Sequence, residues 1–402
     1  MASGGAGAYR PVGYARVTSS PLALSLDVSA VPTRPGGAGY YTMELARALC
    51  ARDDIRLTML SRLDDQDRWR ALAGAGRTVV GAVPRSRPSR LVFEQVRLPR
   101  LIRSLGVELH HAPHYTMPER APVPCVVTIH DCIFFDHPEW HLRSKAMFFR
   151  RAIRRAARHA AVLVTGSEFT AARLRASCDV RAPIVVAPYG VDLGRFTPHE
   201  PAPGADHHLL AQLGVPTDRP LVVFVGTLEP RKGVAPLVTA FDEVADRDRD
   251  AVLVLGGGTG WGLDEIERAV ATARHGVRIL RTGYLSDAAV PALMRRSTAV
   301  VYPAVEEGYG LPALEALACG APLITSAGTA MAEMAGDAAD LVTPGDHAML
   351  VAALVSALEQ GREGTAVEGR RARGLAVAAE RTWEASAARH LEAYRVALTV
   401  PK

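Results

Sequence analysis

The stretch Glu307-Gly308-Tyr309-Gly310-Leu311-Pro312-Ala313-Leu314-Glu315, running on through Ala316-Leu317-Ala318-Cys319-Gly320, sets two carboxylates on either side of a glycine turn and a helix start. Gly308 and Gly310 let the backbone approach another group closely. Pro312 suits the first helical position, where its missing N–H has no intrahelical partner to lose. On this reading Glu307 stays on the loop and Glu315 falls in the first turn of the helix. Free N–H groups at a helix start attract phosphate oxygens, and carboxylates beside them accept hydrogen bonds from sugar or ribose hydroxyls. A diphosphate flanked by two polyols fits such an arrangement.

Apolar runs alternate with helical patterns along the rest of the chain, which predicts parallel sheets covered by helices on both faces. In the first half the pattern predicts strands over 22–28, 55–60, 78–83, 107–110, 125–129, 162–165 and 184–187, and helices over 40–50, 89–104, 141–158 and 169–177. A second series predicts strands over 221–225, 251–255, 277–280, 299–302, 322–325 and 339–342, and helices over 234–245, 263–274, 287–295, 312–318 and 347–359. The segment between them is rich in Pro, Gly and His. The expected division is a tail over 1–20, an α/β domain over 21–188, a linker over 189–220, a second α/β domain over 221–364 and a helical terminus over 365–402. No repeat of ~20–50 residues is visible, which argues against a solenoid.

The Glu-x7-Glu spacing resembles the signature of the retaining glycosyltransferases of family 4. Four more motifs agree with it in order. Gly36-Gly37-Ala38-Gly39-Tyr40 looks like that family's N-terminal glycine loop, and Ala187-Pro188-Tyr189-Gly190-Val191-Asp192 like its domain junction. Val225-Gly226-Thr227-Leu228-Glu229-Pro230-Arg231-Lys232-Gly233 looks like its diphosphate turn, and Thr282-Gly283-Tyr284 like its nucleobase loop. The resemblance implies the GT-B fold, two facing Rossmann-like domains with the C-terminal helix returning to the first. It also implies a donor nucleotide sugar bound by Gly37, Gly226, Thr227, Gly283, Tyr284, Gly308, Tyr309, Gly310, Leu311 and Glu315. Within the motif it gives Glu307 to the donor sugar and Glu315 to the ribose. The pattern Thr128-Ile129-His130-Asp131 followed by Pro138-Glu139 looks most like bacterial mannosyltransferases of surface polysaccharide assembly, hence GDP-mannose as the expected donor.

Elementary chemistry gives roles to the remaining groups. Arg231 and Lys232 lie five and six residues after Gly226, beyond a strand end. Arg offers a bidentate fork and Lys a point charge to a departing diphosphate. With Glu307, which the resemblance gives to the donor sugar, and His130, at the point where the resembled family has a His near that sugar, they are read as the catalytic set. No Asp-x-Asp pair follows a strand, so the site is expected to need no metal and no cofactor. His130 and Asp131 close a buried strand at the cleft. Asp131 either orients the His130 imidazole or binds an acceptor hydroxyl. His110, His111 and His114 have a spacing that hints at zinc, but no carboxylate or Cys completes a site. His111 and His114 are therefore read with Asp131 as acceptor-side groups, plain loop packing being the alternative.

Composition bounds the rest. The 402 residues are 48% hydrophobic and 22% charged, the balance of a globular protein. No run approaches the ~18 apolar residues needed to span a bilayer, and the first 20 residues lack an apolar signal core. The five cysteines are scattered and without CxxC pairing, consistent with reduced, mostly buried thiols and a cytoplasmic protein. The net charge of +5 gathers in two stretches: six arginines against Glu94 over 85–103, and seven basic residues with no acid over 143–158. Arg143, Lys145, Arg150, Arg151, Arg154, Arg155 and Arg158 share their helix with Leu142, Met147, Phe148 and Ile153. That pattern suits the inner face of an anionic membrane, or else a solvated helix face. Two rivals remain: a GT-B nucleotide-sugar epimerase, which needs no acceptor face, and a basic nucleic-acid-binding protein, which the lack of aromatics among the basic residues counts against. The glycine run over 256–262 does not make a dehydrogenase, because no acidic residue follows at the spacing a nicotinamide ribose needs. The expected activity is retaining hexosyl transfer to a glycan or lipid-linked acceptor.

Overall fold

The computed structural model describes residues 20–74, 77–363 and 365–400. The tail expected over 1–20 therefore lies, but for its last residue, outside the described residues, as do Gly364 and residues 401–402. The first sheet is built from β1 (Leu22–Asp27), β2 (Ile55–Arg62), β3 (Thr78–Val83), β4 (Leu109–Ala112), β5 (Cys125–Ile129), β6 (Val162–Thr165) and β7 (Ile184–Val186). The second contains β8 (Leu221–Val225), β9 (Val252–Gly256), β10 (Ile279–Gly283), β11 (Ala299–Tyr302), β12 (Leu323–Ser326) and β13 (Ala339–Val342). Their orders are β3-β2-β1-β4-β5-β6-β7 and β10-β9-β8-β11-β12-β13, and the pairings are parallel. Strands covered on both faces read as continuous apolar runs, as in Leu221-Val222-Val223-Phe224-Val225, every residue of which is buried.

This order locates the crevices. In each sheet the winding reverses beside the first strand, between β1 and β4 and between β8 and β11. Loops leaving neighbouring strands at such a point part to opposite sides and leave a hollow. The four loops concerned carry Gly36 to Tyr40, His111 to Tyr115, Gly226 to Gly233 and Glu306 to Gly310.

Two expected helices are broken. The pattern over 89–104 forms Arg87–Val96 and Leu98–Ser104, because Pro99 has no N–H for the carbonyl four residues back. The terminal helix divides into Thr365–Glu380 and Trp383–Thr399, the second capped by Thr382, whose hydroxyl accepts the Ala385 N–H at 3.2 Å. At that break Thr382 pairs with Val191, and a Cβ on Gly190 would stand 2.3 Å from the Trp383 nitrogen. The two chain crossings between the domains thus run side by side, with glycine required at their contact. The short helix Ala330–Ala335, unforeseen from sequence, is too brief to display a period.

Helix Trp383–Thr399 lies on the first domain through a buried polar chain whose proton positions are fixed by elimination. The Ser386 carbonyl can only accept, so His390 Nδ1–H donates to it at 2.7 Å. His390 Nε2 is then bare and accepts from the Tyr41 hydroxyl at 2.7 Å. Tyr41 in turn accepts from Thr128 at 2.8 Å, Thr128 from His111 Nε2–H at 2.8 Å, and His111 Nδ1 from the Tyr394 hydroxyl at 2.9 Å. Ser386, His390 and Tyr394 fall four residues apart on one helix face, so the chain leaves and re-enters the same helix. Burial holds His390 down to about 4 and His111 well below the usual imidazole range, so both rings stay neutral as this pattern demands.

Tyr394→Phe removes the donor to His111 Nδ1 at zero exposure. It should cost ~1–3 kcal/mol in chemical denaturation. Ser386→Ala should be near neutral, since only the backbone carbonyl of Ser386 takes part and its own hydroxyl has no partner. Equal losses in the two variants would refute the chain.

Candidate active site

The turn after β8 and the loop after β11 are stitched together. Pro230–Lys232 forms one short helical turn, ended by Gly233 at φ +69°. A Cβ there would meet the Pro303 carbonyl oxygen at 2.1 Å, and the Val305 N–H donates to the Arg231 carbonyl at 2.9 Å. Glu307 is thereby brought to the two cations: its carboxylate accepts from Lys232 Nζ and, at 3.4 Å, from Arg231 Nη1. Arg231 Nε also donates to Glu229 at 2.7 Å. Burial alone would raise the Glu307 carboxyl, but Lys232 and Arg231 outweigh it and hold the group at about 2. Burial likewise lowers Lys232 despite Glu307 beside it, whereas Glu307, Glu229 and Asp131 hold Arg231 up against burial. Of these residues Lys232 and Glu307 border a small cavity with Gly226, Gly310, Pro312 and Met331.

The structure corrects the reading of the glycine turn. Helix Leu311–Ala318 is capped by Gly310 at φ +90°, so Pro312 is its second residue and Glu315 its fifth, one turn in. The glycine at 308 is required by the other domain: a Cβ would lie 2.0 Å from the His130 carbonyl oxygen. The Gly308 carbonyl accepts from the Ser167 and Thr170 hydroxyls, each at 3.1 Å. Tyr309 is buried, and its hydroxyl donates to the Tyr189 carbonyl at 2.7 Å. Its side chain fastens the second domain to the junction between the domains. Leu311 is half-buried at the helix start. Glu315 is half-buried with no protein donor on its carboxylate among the described residues, and burial pushes it up to about 7.

On the first domain, His130 does not present a free nitrogen. Its Nε2–H donates to the Pro113 carbonyl at 2.8 Å, and its Nδ1 accepts from the Tyr189 hydroxyl at 2.6 Å. Burial lowers the ring to about 4, so it stays neutral with both nitrogens engaged between the two loops. His111 belongs to the buried chain on helix Trp383–Thr399 and is out of an acceptor's reach. His110 instead contacts Ser25 at 2.9 Å. The three histidines thus diverge, and no group of three or more His, Cys, Asp and Glu is placed to hold a metal among the described residues. His114 remains half-buried beside Tyr115 and His130. Asp131 Oδ1 is buried without a hydrogen-bond partner, a costly state for an acceptor atom.

The remaining expected positions form the rim. Gly37 opens helix Gly37–Cys50 with open space at its Cβ position, and Thr227 is exposed. Gly283, at φ +66°, accepts the Gly257 N–H at 2.7 Å, and the exposed Tyr284 ring lies 6.0 Å from the Arg34 guanidinium of the first domain.

Three residues escaped the sequence reading. Glu306 is buried next to Glu307, bonds His137 Nε2 at 3.3 Å, and is pushed up by burial, Asp136 and Asp131. Glu333 accepts the Glu168 and Phe169 N–H groups at 2.8 and 2.6 Å, capping helix Glu168–Ser177 from the other domain. Arg195 binds Asp287 through its carbonyl and its carboxylate, each at 3.1 Å. Ordinary charged residues in loops or in a short helix carry no sequence signal for such partners; the adjacency of Glu306 to Glu307 is the one local mark that distinguishes any of the three.

Comparison with known proteins gives consistent matches. Residues 35–195 match Glycosyltransferase Family 4, and residues 207–373 match Glycosyl transferases group 1. O-antigen chain mannosyltransferase B of Escherichia coli is 27% identical over 380 residues, 90% of this chain and 96% of that protein. D-inositol 3-phosphate glycosyltransferase of Actinosynnema mirum is 36% identical over 156 residues, 36% of each chain. Among solved structures, sucrose-phosphate synthase of Thermosynechococcus elongatus superposes with a TM-score of 0.72 at 21% identity, covering 94% of this chain and 98% of that one. HepE of Anabaena, in complex with UDP and glucose, gives 0.72 at 18% identity with coverages of 93% and 99%.

Gly308→Ala should force the domains apart, because the added carbon meets backbone of the opposite domain. The expected readouts are a lowered melting temperature and a larger radius of gyration by small-angle scattering. An unchanged radius would show that the contact does not set the domain spacing.

Proposed function

The chain belongs to the glycosyltransferases of family 4 with the GT-B fold, and on that premise we propose that it moves a hexose, mannose foremost, from a nucleoside diphosphate to a glycan or lipid-linked acceptor with retained anomeric configuration. The carrying observation is the ionised Glu307 held between Lys232 and Arg231 at the switch point of the second sheet. Donor binding exchanges these ion pairs: the diphosphate takes the cations, and Glu307 accepts from the sugar hydroxyls. Glu315, free of protein donors among the described residues, accepts from the ribose. When the anomeric carbon–oxygen bond breaks, Arg231 and Lys232 neutralise the charge arriving on the leaving phosphate, which makes a metal unnecessary. The acceptor oxygen bonds to the anomeric carbon and its proton passes to that phosphate. Asp131 Oδ1, the unpartnered buried acceptor, orients the incoming hydroxyl. The likeness to the O-antigen mannosyltransferase along nearly its full length supports mannose as the sugar, and the Thr128 to Asp131 pattern supports GDP-mannose as its donor. An epimerase is not favoured, since the matched relatives bear names of transferases.

Glu307→Gln should abolish transfer and leave nucleoside diphosphate affinity nearly unchanged. Glu315→Gln should instead weaken the nucleotide by ~1.5 kcal/mol, roughly ten-fold. Because burial raises Glu315 to about 7, its ionised form is lost as pH falls through that value. Nucleotide affinity measured by calorimetry should fall in the same window, and Glu315→Gln should flatten the profile. Transfer should survive EDTA. Equal nucleotide losses in both variants, or loss of transfer with EDTA and rescue by Mg2+ or Mn2+, would refute this division of roles.

An anionic membrane face is the proposed site of action. No helix among the described residues is long and apolar enough to cross a membrane. In helix Arg143–His159, Arg143, Met147, Arg151, Arg154 and Arg158 form one exposed stripe, with Met147 68% exposed, while Phe149 and Ile153 face the core. The stripe is narrower than the sequence suggested: Arg150 donates to the Phe134 carbonyl at 2.6 Å, Arg155 pairs with Glu119 at 2.8 Å, and Arg158, though exposed, lies 3.4 Å from Asp179. Basic residues near an anionic leaflet contribute ~1 kcal/mol each. Replacing Arg151, Arg154 and Arg158 by Glu should eliminate sedimentation with phosphatidylglycerol vesicles while transfer to a short soluble acceptor persists. Absence of vesicle binding by the unmodified chain at ~0.15 M salt would leave the stripe a solvated face.

A further inference from the structure

The four tryptophans divide into two kinds. Trp69 and Trp383 are core residues, at 0% and 7% exposure. Trp140 and Trp261 come from opposite domains and meet across the cleft, with ring centroids 6.3 Å apart and planes tilted by 41°. Trp261 stays 38% exposed, so its indole contributes little to either core.

Both rings are held firmly. Trp140 ends the turn Pro138–Trp140 and is stacked on His137 at 3.8 Å, and His137 in turn contacts Glu139 at 2.9 Å and Glu306 at 3.3 Å. Trp261 sits in the glycine run that lies over the diphosphate turn. A Cβ on Gly260 would meet Glu229 Cγ at 2.5 Å, and one on Gly262 would meet Pro230 Cγ at 2.6 Å. The glycine run that does not make a dehydrogenase therefore has another purpose: it lets a loop press onto the turn of Arg231 and Lys232 while presenting an aromatic ring. Trp140 is stacked on His137, which contacts Glu306, and the glycines on either side of Trp261 press on Glu229 and Pro230, the residues just before Arg231. The nucleotide side, Glu315 with Arg195 and Asp287, involves neither.

We propose that Trp140 and Trp261 form the binding wall for the acceptor's sugar ring, an uncharged pyranose whose C–H face lies on the indoles while its hydroxyls reach Glu139 and Asp131. Large aromatic faces with a polar edge suit such amphipathic rings and exclude water from the reacting atoms. Since each domain supplies one ring, the wall is complete only when the cleft is closed. The proposal rests on the glycosyl-transfer reading and narrows its acceptor to a glycan rather than a bare lipid alcohol.

The test uses intrinsic fluorescence of the full chain, with α-linked mannotriose as probe. Two of four indoles are at the proposed wall, so mannotriose should change the emission saturably. The change should need about ten-fold more mannotriose in Trp261→Ala and keep its original midpoint in Trp261→Phe. In steady-state transfer to mannotriose, Trp261→Ala and Trp140→Ala should each raise the acceptor KM about ten-fold, the loss of one stacking contact of ~1.4 kcal/mol, and leave the donor KM unchanged. Emission indifferent to mannotriose overturns the proposal. So does an equal rise of donor and acceptor KM, which would make the pair a closure latch only. Nucleoside diphosphate binding, followed by calorimetry on the same samples, reports separately on the glycosyl-transfer reading.

Discussion

The contact between Gly308 and the His130 carbonyl governs the molecule. A methyl group there would lie 2.0 Å from backbone oxygen, so the loop bearing Glu307 is placed by the backbone of the opposite domain. Around this point Ser167 and Thr170 donate to Gly308, Tyr309 to Tyr189, and Tyr189 to His130, whose other nitrogen holds Pro113. Each hydrogen bond is modest alone, but a buried chain of satisfied donors is costly to open piecemeal. The cleft geometry is thus the product of two sheets meeting, and neither domain contains it.

The same logic repeats at the back of the first domain. Helix Trp383–Thr399 follows the second domain in sequence yet lies on the first, closing the polar circuit from Tyr394 to Ser386. Tyr41 belongs to that circuit and also packs its ring on Tyr189 and against His130. The hinge-side anchor and the cleft-side anchor therefore share an aromatic cluster. Neutral histidines are essential to both, and burial keeps them neutral.

Charge in the cleft is organised by mutual compensation. Arg231 and Lys232 would be unfavourable so deep without counter-charges, and Glu229 and Glu307 supply them. An anion entering this site meets cations already desolvated and oriented, so its binding requires little reorganisation. That is the property a site needs to stabilise a leaving diphosphate.

How much of this was legible in the residues depends on the range of the interaction. Periodicity marked the strands, since burial on both faces requires apolar runs such as Leu221 to Val225, and it revealed two sheets in succession. The Glu-x7-Glu spacing, with strand, glycine turn and helix, marked the donor side, because those residues are local neighbours. Helix breaks at Arg97 and Arg381 were less visible, being settled by one proline and by a chain crossing. Gly308, Tyr309, His111 and His130, read from the sequence as ligand-facing, have protein partners that no local pattern shows: Gly308 the first domain's hydroxyls, Tyr309 the Tyr189 carbonyl, His130 Pro113 and Tyr189, and His111 Thr128 and Tyr394 of the terminal helix. Glu333 and the meeting of Trp140 with Trp261 were invisible because their partners lie in the other domain, and only its place beside Glu307 marked Glu306. Local pattern determines which elements form, and the tertiary structure alone decides which side chains face each other, because burial and hydrogen bonding are satisfied across space and leave no spacing in the chain.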